Sequence, residues 1–560
     1  MKQYIIIFLV FLCLKTAVGF SQYEEEFRIE RTNPKYEEGD WISYSMTRWV
    51  TSLAQGIQYV YFGTTGGISR YNYYTNKWDF PWTLSNGLAN NDILVVGYDI
   101  DTNYLWCATP VSISCYFSTF RRWENYYYEK IGVFGDNEII SIGFDDNNVW
   151  IESQDGSFLK GPKQGGEFFH PASSYEAEDN SIRWFGYRGQ NINRPPEFFM
   201  SDGYWFYPEG YITNIRLDRY NVSDWLLDKW GKYWVTTLGL GIGKAEVRIE
   251  QLELLNYGLF INNVSAMALE PESRTMWVGA FGEFEGESGV TSWQIDNDEW
   301  SYFQSKYITE FQNNQVTSIA VDVPYIWFGT EYGLAQYDKN RDRWQTFDVF
   351  SNLGDNYVYD VAVDEENVWV ATANGLTRIF KNSVNSDSLE IKQINRSALH
   401  QIKVFDVEVM VNLVWLGTEF GVYVYDVSKD EGGFQAEVGG PMNEELYAAS
   451  CFENEAWFGS GNGIEVFDVK KKEWLGGPHR RYEPGDVINY IKAGKDAVWA
   501  GTNFGVLKFD RERNYWTKFT TEDGLINNIV NTIELDGDYV WFGTPEGITR
   551  FYWNDPHRID

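Results

Sequence analysis

Histidine, cysteine and basic residues are scarce in this chain of 560 residues, and each shortage removes a class of function. The four histidines, His170, His400, His479 and His557, are scattered with no HxxxH or His-Cys spacing. A zinc centre or a Ser-His-Asp triad has little material to draw on, so no metal, no cofactor and no catalytic residue is assigned. Lysine and arginine number 46 against 80 aspartates and glutamates, a formal net charge of −34. A surface so negative repels phosphate backbones and argues against nucleic acid as a partner. Beyond the first residues no long apolar run and no heptad or amphipathic-helix pattern occurs, so no membrane span is expected.

The exception is the start. Residues 1–21, MKQYIIIFLVFLCLKTAVGFS, combine a basic beginning, a short apolar run and small residues before a break. That is the pattern of a secretory signal peptide, with cleavage after Gly19 or Ser21, and it implies a periplasmic, cell-surface or secreted protein. Cys13 lies inside it, and Leu12 before Cys13 is too bulky for the usual lipoprotein site. Three cysteines then remain. Cys107 and Cys115 flank the hairpin ATPVSIS and, by register with Phe62 and Arg70 of the preceding unit, could face each other; a disulfide and two isolated thiols are both compatible with this. Cys451 has no obvious partner.

Aromatic residues and glycine are plentiful, with 25 Trp, 38 Tyr, 37 Phe and 51 Gly. Trp327, Trp369, Trp415, Trp457, Trp499 and Trp541 recur every 42 residues, with one interval of 46, and each opens a near copy of one phrase. The copies are WFGTEYGLAQYD, WVATANGLTRIF, WLGTEFGVYVYD, WFGSGNGIEVFD, WAGTNFGVLKFD and WFGTPEGITRFY. Around each phrase the chain reads as four short strands joined by hairpins, which is one blade of a β-propeller. A second Trp follows the anchor at a fixed distance in several blades, so in-phase aromatics are assigned to packing between sheets. Further anchors at Trp277, Trp234, Trp150, Trp106 and Tyr61 make eleven blades. The interval from Trp150 to Trp234 is twice the usual one, and holds either a divergent twelfth blade built on RWFG (183–186) or one blade with a long insertion; the even multiple favours twelve.

The expected fold is therefore all-β, a propeller of eleven or twelve four-stranded blades. A single ring takes about 4–8 blades, so two tandem rings are expected. Residues 22–260 would form an N-terminal ring of four or five blades and residues 261–560 a C-terminal ring of about seven, with a six-plus-six division as the alternative. The last blade lacks a fourth strand, and DWISYS (40–45) reads as the strand that completes it and covers its open edge.

Several motifs are absorbed by this repeat. The acids of DIDTN (99–103), DNDE (296–299) and LDGD (535–538) sit in hairpin turns, where Asp, Asn and Gly are favoured for backbone reasons. DIDTN starts like a calcium loop, but Tyr104 stands where glycine is needed and Pro110 where an acid is needed. LGLGIGK (238–244) looks like a phosphate loop, yet it occupies the second hairpin of a blade and no helix follows. The segment 167–211 escapes the repeat: its aromatics fall out of phase among prolines and polar residues. Phe168, Phe169, Trp184, Tyr187, Phe198, Phe199 and Trp205 are accordingly candidates for an exposed binding platform.

The phrase W-x-[GA]-[TS]-x-x-G-[LIV], with GL-x-NN or a close variant before some blades, resembles the two-component regulator propeller repeats of exported bacterial sensor regions. Asn90-Asn91, Asn262-Asn263 and Asn527-Asn528 carry the second element. The resemblance implies the propeller scaffold and a role in recognition, and it covers nearly the whole chain after the leader. With 19 residues after Trp541 and no kinase, a free-standing exported propeller is expected. Its asparagine pairs and GT-x-x-G turns fall at one end of the blades and form a second candidate binding surface. Two function classes follow: a scaffold holding a glycan, peptide or partner protein, and a carbohydrate-active enzyme, a glycoside hydrolase or polysaccharide lyase using paired carboxylates. No acid stands out by position, which favours the scaffold.

Overall fold

The computed structural model describes residues 36–558, apart from 134–136, 191–194, 202, 247, 249, 283–287, 312–314, 384–389, 395, 436–443, 477–478 and 480–486. The leader of residues 1–21 lies outside the described residues. Gly39–Asp560 forms one compact unit.

The repeated phrase folds strand by strand. In the sheet of residues 316–347, the strands Val316–Asp322, Tyr325–Thr330, Gly333–Asp338 and Arg343–Phe347 pair antiparallel in chain order. Trp327 on the second strand lies opposite Ala320, whose small side chain leaves room for the indole, and is fully buried. Trp106, Trp234, Trp369, Trp415, Trp457, Trp499 and Trp541 are fully buried in the same way. A buried indole N–H needs an acceptor, and the acidic first hairpin supplies it in many sheets. Nε1 of Trp150 donates to Asp145 at 2.7 Å, Trp234 to Asp228 at 2.9 Å, Trp369 to Asp364 at 2.7 Å and Trp457 to Glu455 at 3.0 Å. The turn acids thus have a packing task.

The second hairpin explains GT-x-x-G. The Thr330 hydroxyl donates to the Gly333 carbonyl at 2.7 Å, and Thr372, Thr418, Thr502 and Thr544 repeat this toward Gly375, Gly421, Gly505 and Gly547. Gly333 has φ of 134°, and a Cβ there would meet the Phe347 carbonyl oxygen at 2.5 Å. Only glycine fits such a position.

Among the described residues the strands form eleven sheets, ten of four strands and one of seven, and the fold is the all-β propeller expected. RWFG does not open a sheet of its own. Arg183–Gly186 pairs with Ile139–Phe144, the first strand of the sheet before it, so the order there is Phe158–Pro162, Asn148–Ser153, Ile139–Phe144, Arg183–Gly186. The rest of the irregular stretch joins the following sheet: Tyr204–Tyr207 and Tyr211–Asn214 extend it from Arg219–Leu227, and Phe199–Met200 pairs parallel with Gln251–Leu255. The long interval is therefore an insertion shared between two sheets.

Two sets of bonds tie neighbouring sheets together. First strands lie side by side in chain order from Val264–Glu270 to Thr532–Asp536, and Thr532–Asp536 in turn lies against Val264–Glu270. At the start of first strands a polar residue reaches the next sheet: at bulges, Thr51 donates to the Ile93 carbonyl at 2.6 Å, Thr317 to Val358 at 2.6 Å and Asn489 to Val530 at 3.2 Å, and just before its strand Asn531 donates to Val264 at 2.8 Å. Ser265 does the same toward Val316. At the other end, ion pairs join Lys339 to Glu270 at 2.6 Å, Lys381 to Asp322 at 2.6 Å and Arg511 to Glu455 at 2.6 Å. Each hydrogen-bonded latch is worth about 1 kcal/mol.

The last sheet takes its fourth strand from the start of the chain. Trp41–Tyr44 pairs antiparallel with Gly547–Tyr552, from Trp41 opposite Phe551 to Tyr44 opposite Ile548. Trp41 stacks on Phe551 with ring centroids 3.9 Å apart, Ser43 bonds to the Thr549 hydroxyl at 2.8 Å, and Arg558 pairs with Asp40.

Candidate functional site

The aromatics of segment 167–211 divide into two groups by their position in the sheets. Phe198 is 6% exposed and packs edge-on against Phe206 and Tyr233. Phe168 packs against Trp106 and Tyr126, and Trp184 against Phe158. Phe198 is core, and Phe168 and Trp184 are partly buried against core clusters, because the insertion packs against the two sheets it joins. The other four candidates face water: Phe169 is 50% exposed, Tyr187 69%, Phe199 73% and Trp205 49%. The seven candidates thus form no single platform, and four exposed rings remain.

The asparagine pairs form a backbone device. The second Asn accepts from the amide seven residues before it: Asn91 from Leu84 at 2.8 Å, Asn528 from Thr521 at 2.9 Å. The first Asn closes a turn, Asn90 accepting from Asp92 and Asn527 from Ile529, both at 2.8 Å. Asp355-Asn356 repeats both bonds, so its sequence LGDN is a further copy of the motif. Asn262 accepts from the Met46 amide, and the Asn263 carbonyl from the Phe281 amide. Asn527 and Asn91 also reach the two carboxylate oxygens of Glu546, at 3.1 and 3.5 Å. Side chains so engaged join loops and sheets before they offer anything to a ligand.

The cysteine pairing needs correction. Cys107 lies opposite Ser114 and Cys115 opposite Trp106, so strand alternation sends the two thiols to opposite faces of the sheet. Cys107, Cys115 and Cys451 are free thiols, and burial raises the pKa of each. The register from Phe62 and Arg70 was one residue off, since Phe62 in fact faces Ser69.

A set of charges that the sequence reading did not single out lines the first strands. Asp360 and Asp406 occupy the same place in successive sheets, just after the bulge, and each reaches the next sheet: Asp360 accepts from the Val407 amide at 3.1 Å and Asp406 from the Ala449 amide. Two residues on, Glu408, Lys492 and Glu534 lie opposite Trp415, Trp499 and Trp541, where other sheets carry alanine. Lys492 donates to Glu534 at 3.3 Å, and that carboxylate holds the lysine pKa up. Burial raises Asp360 and Glu534, and it raises Asp406 well above the usual range with help from the charges of Asp360 and Glu408. Glu408 is pushed up to about 7 by burial, against the pull of Lys492. The available sequence signal was phase: YDVAV and FDVEV put acids at matching places in strands that are otherwise apolar.

Two outcomes follow. Phe198→Ser should cost about 3–5 kcal/mol in denaturant unfolding while Phe199→Ser leaves stability unchanged, because only the first ring is packed. Glu408 keeps its proton in the folded state between its ordinary pKa of 4.5 and about 7, where the unfolded chain has released it. Stability carried by this group is therefore lost as pH rises through that window. Melting temperatures of Glu408→Gln should fall less steeply from pH 4.5 to pH 7 than those of the unaltered chain; parallel curves would contradict the assignment.

No family model and no curated protein matches the chain. Among solved structures it is similar to PorZ, a surface component of the type-IX secretion system of Porphyromonas gingivalis, at 12% identity and a TM-score of 0.58, covering 92% of this chain and 87% of that one. The extracellular domain of the putative hybrid two-component system BT4673 of B. thetaiotaomicron gives 14% identity and a TM-score of 0.45 over 91% of this chain and 70% of its own. That of BT3049 gives 14% and 0.33 over 89% and 74%. No helix among the described residues is long and apolar enough to cross a membrane. At these identities the likeness to PorZ is one of fold, and it extends over nearly the whole chain.

Proposed function

We propose that this chain is an exported interaction scaffold of the bacterial surface. It is built as two tandem propeller rings that meet near residue 260, and it holds a partner protein, peptide or glycan through the exposed rings of Phe169, Tyr187, Phe199 and Trp205. The observation that carries this reading is the exposure of Phe169, Tyr187, Phe199 and Trp205, with Tyr175 beside them in sequence, on one insertion; large rings left open to water on a repeat that buries most of its aromatics mark contact surfaces. Two further observations support it. The fold of PorZ, which is a bacterial surface component of a secretion system, accounts for 92% of the chain. The basic-apolar start at residues 1–21 has the composition of an export signal.

The alternative, a carbohydrate-active enzyme, requires two carboxylates facing one substrate. Asp360 and Asp406 are two acids whose charges bear on each other, and each already accepts a backbone amide of the next sheet, which suits joining sheets better than catalysis.

A photo-crosslinking residue at position 199 or 205, in the exported protein in its own cells, should give one discrete adduct absent when the same residue replaces Glu365. Adducts identical at all three positions, or none at 199 and 205, would remove the proposed surface. Release of sugars from a polysaccharide panel by the purified chain would favour the enzyme instead.

A further inference from the structure

The latches between first strands have a gap. In four sheets the bulged residue, Thr51, Ser265, Thr317 or Asn489, is polar and donates to a carbonyl at or just before the first strand of the next sheet, and Asn531, just before its own first strand, does the same. In three successive sheets the same bulge carries Tyr359, Phe405 and Tyr447, between Val358 and Asp360, Val404 and Asp406, and Leu446 and Ala448. An aromatic ring cannot make that bond. The rings instead form a row: Tyr357 and Tyr359 have centroids 4.6 Å apart, Tyr359 and Phe405 5.1 Å, and Phe405 and Tyr447 5.4 Å. All four are only partly buried. The chain therefore forgoes its usual joint at three adjacent places and displays a run of aromatic edges and faces there.

The rim of this row is acidic. Tyr447 donates to Glu445, Asp355 accepts the Tyr357 amide at 2.9 Å, and the charges of Asp355, Glu419 and Glu445 all bear on Tyr359, as that of Glu331 does on Tyr357. Glu419 takes the Lys403 amide at 2.9 Å, and Lys403 is the basic residue next to the row in sequence. Lys492, further along the first strands, is already paired with Glu534. Two of the rim acids stand in the repeated turn as TEYG and TEFG, so exposed Tyr332 and Phe420 adjoin Glu331 and Glu419 at the same end of the sheets.

Ring faces attract a cation through their quadrupole, and nearby carboxylates add to that attraction while repelling anions. An aromatic row alone would also suit a sugar; the four carboxylates around it decide for positive charge. We propose that Tyr359, Phe405 and Tyr447, with the carboxylates of Glu419 and Glu445, bind the side chains of a lysine- or arginine-bearing peptide segment. This site is separate from the exposed rings of segment 167–211, and either can fail without the other.

Pentalysine, pentaglutamate and maltohexaose, titrated calorimetrically into the full chain at low salt, test this. Pentalysine should bind and pentaglutamate should not. Phe405→Ser, which leaves the charge unchanged, should weaken pentalysine at least about tenfold, as should Glu419→Gln with Glu445→Gln. Glu365→Gln with Glu512→Gln, in hairpins at the other end of the sheets, and Phe199→Ser should leave it unaltered. Equal weakening by both pairs of Glu→Gln changes, or unaltered binding in Phe405→Ser, would show diffuse attraction to an acidic protein and overturn the site. Absence of pentalysine binding, or maltohexaose binding that Phe405→Ser abolishes, would overturn it too. Should Phe405→Ser fail to fold, the comparison of the two Glu→Gln pairs, all outside the strands, decides alone.

Discussion

The pairing of Trp41–Tyr44 with Gly547–Tyr552 is the constraint on which the rest of the structure depends. A circle of sheets is only as closed as its last joint, and here that joint is a strand from the far end of the sequence. Without it the sheet of residues 532–552 would present unpaired amides and carbonyls along one edge, a template for aggregation. Side chains secure the strand as well as backbone: Trp41 lies flat on Phe551 and Ser43 bonds to Thr549. The same strand also touches the turn that follows the sheet of residues 50–82, since Ser43 bonds to Ser85 and Asn86 donates to the Trp41 carbonyl at 3.3 Å. The strand that closes one group of sheets therefore also anchors the other.

Most residues that look chemically special serve this scaffold. Buried tryptophans fill the space between sheets, and turn acids accept the N–H groups of Trp150, Trp234, Trp369, Trp457 and Trp541. Thr and Gly shape the second hairpin, and the asparagine pairs tie each connection to the next strand. Because the repeat accounts for so much, departures from it are informative. Two stand out: the insertion of residues 167–211, which exposes Phe169, Tyr175, Tyr187, Phe199 and Trp205, and the three bulges that replace a polar latch by an aromatic ring.

Legibility followed the period. Strands could be read from the spacing of Trp327 to Trp541 because each blade must bury the same two faces, and that demand writes the same phrase repeatedly. Where the period lapses, reading failed in instructive ways. Phe198 is out of phase yet buried, and Phe168 and Trp184 are partly buried against other rings, since inserted chain that joins a sheet sets its own inward face. RWFG carries a Trp but pairs beside the first strand of another sheet, so its likeness to an anchor phrase was misleading. Cys107 and Cys115 were misplaced by a single residue of register, which is enough to send a side chain to the opposite face. Asp360, Asp406 and Glu408 went unremarked because buried acids on inner strands are scarce, and the acids of the turns are many.

Hydrogen exchange on the intact chain tests closure most directly. If Trp41–Tyr44 is the fourth strand of the last sheet, amides of residues 41–44 exchange as slowly as those of residues 547–552, and both groups open together. Exchange of residues 41–44 at the rate of a free chain end, with residues 532–552 still protected, would show that the sheet stands without its closing strand.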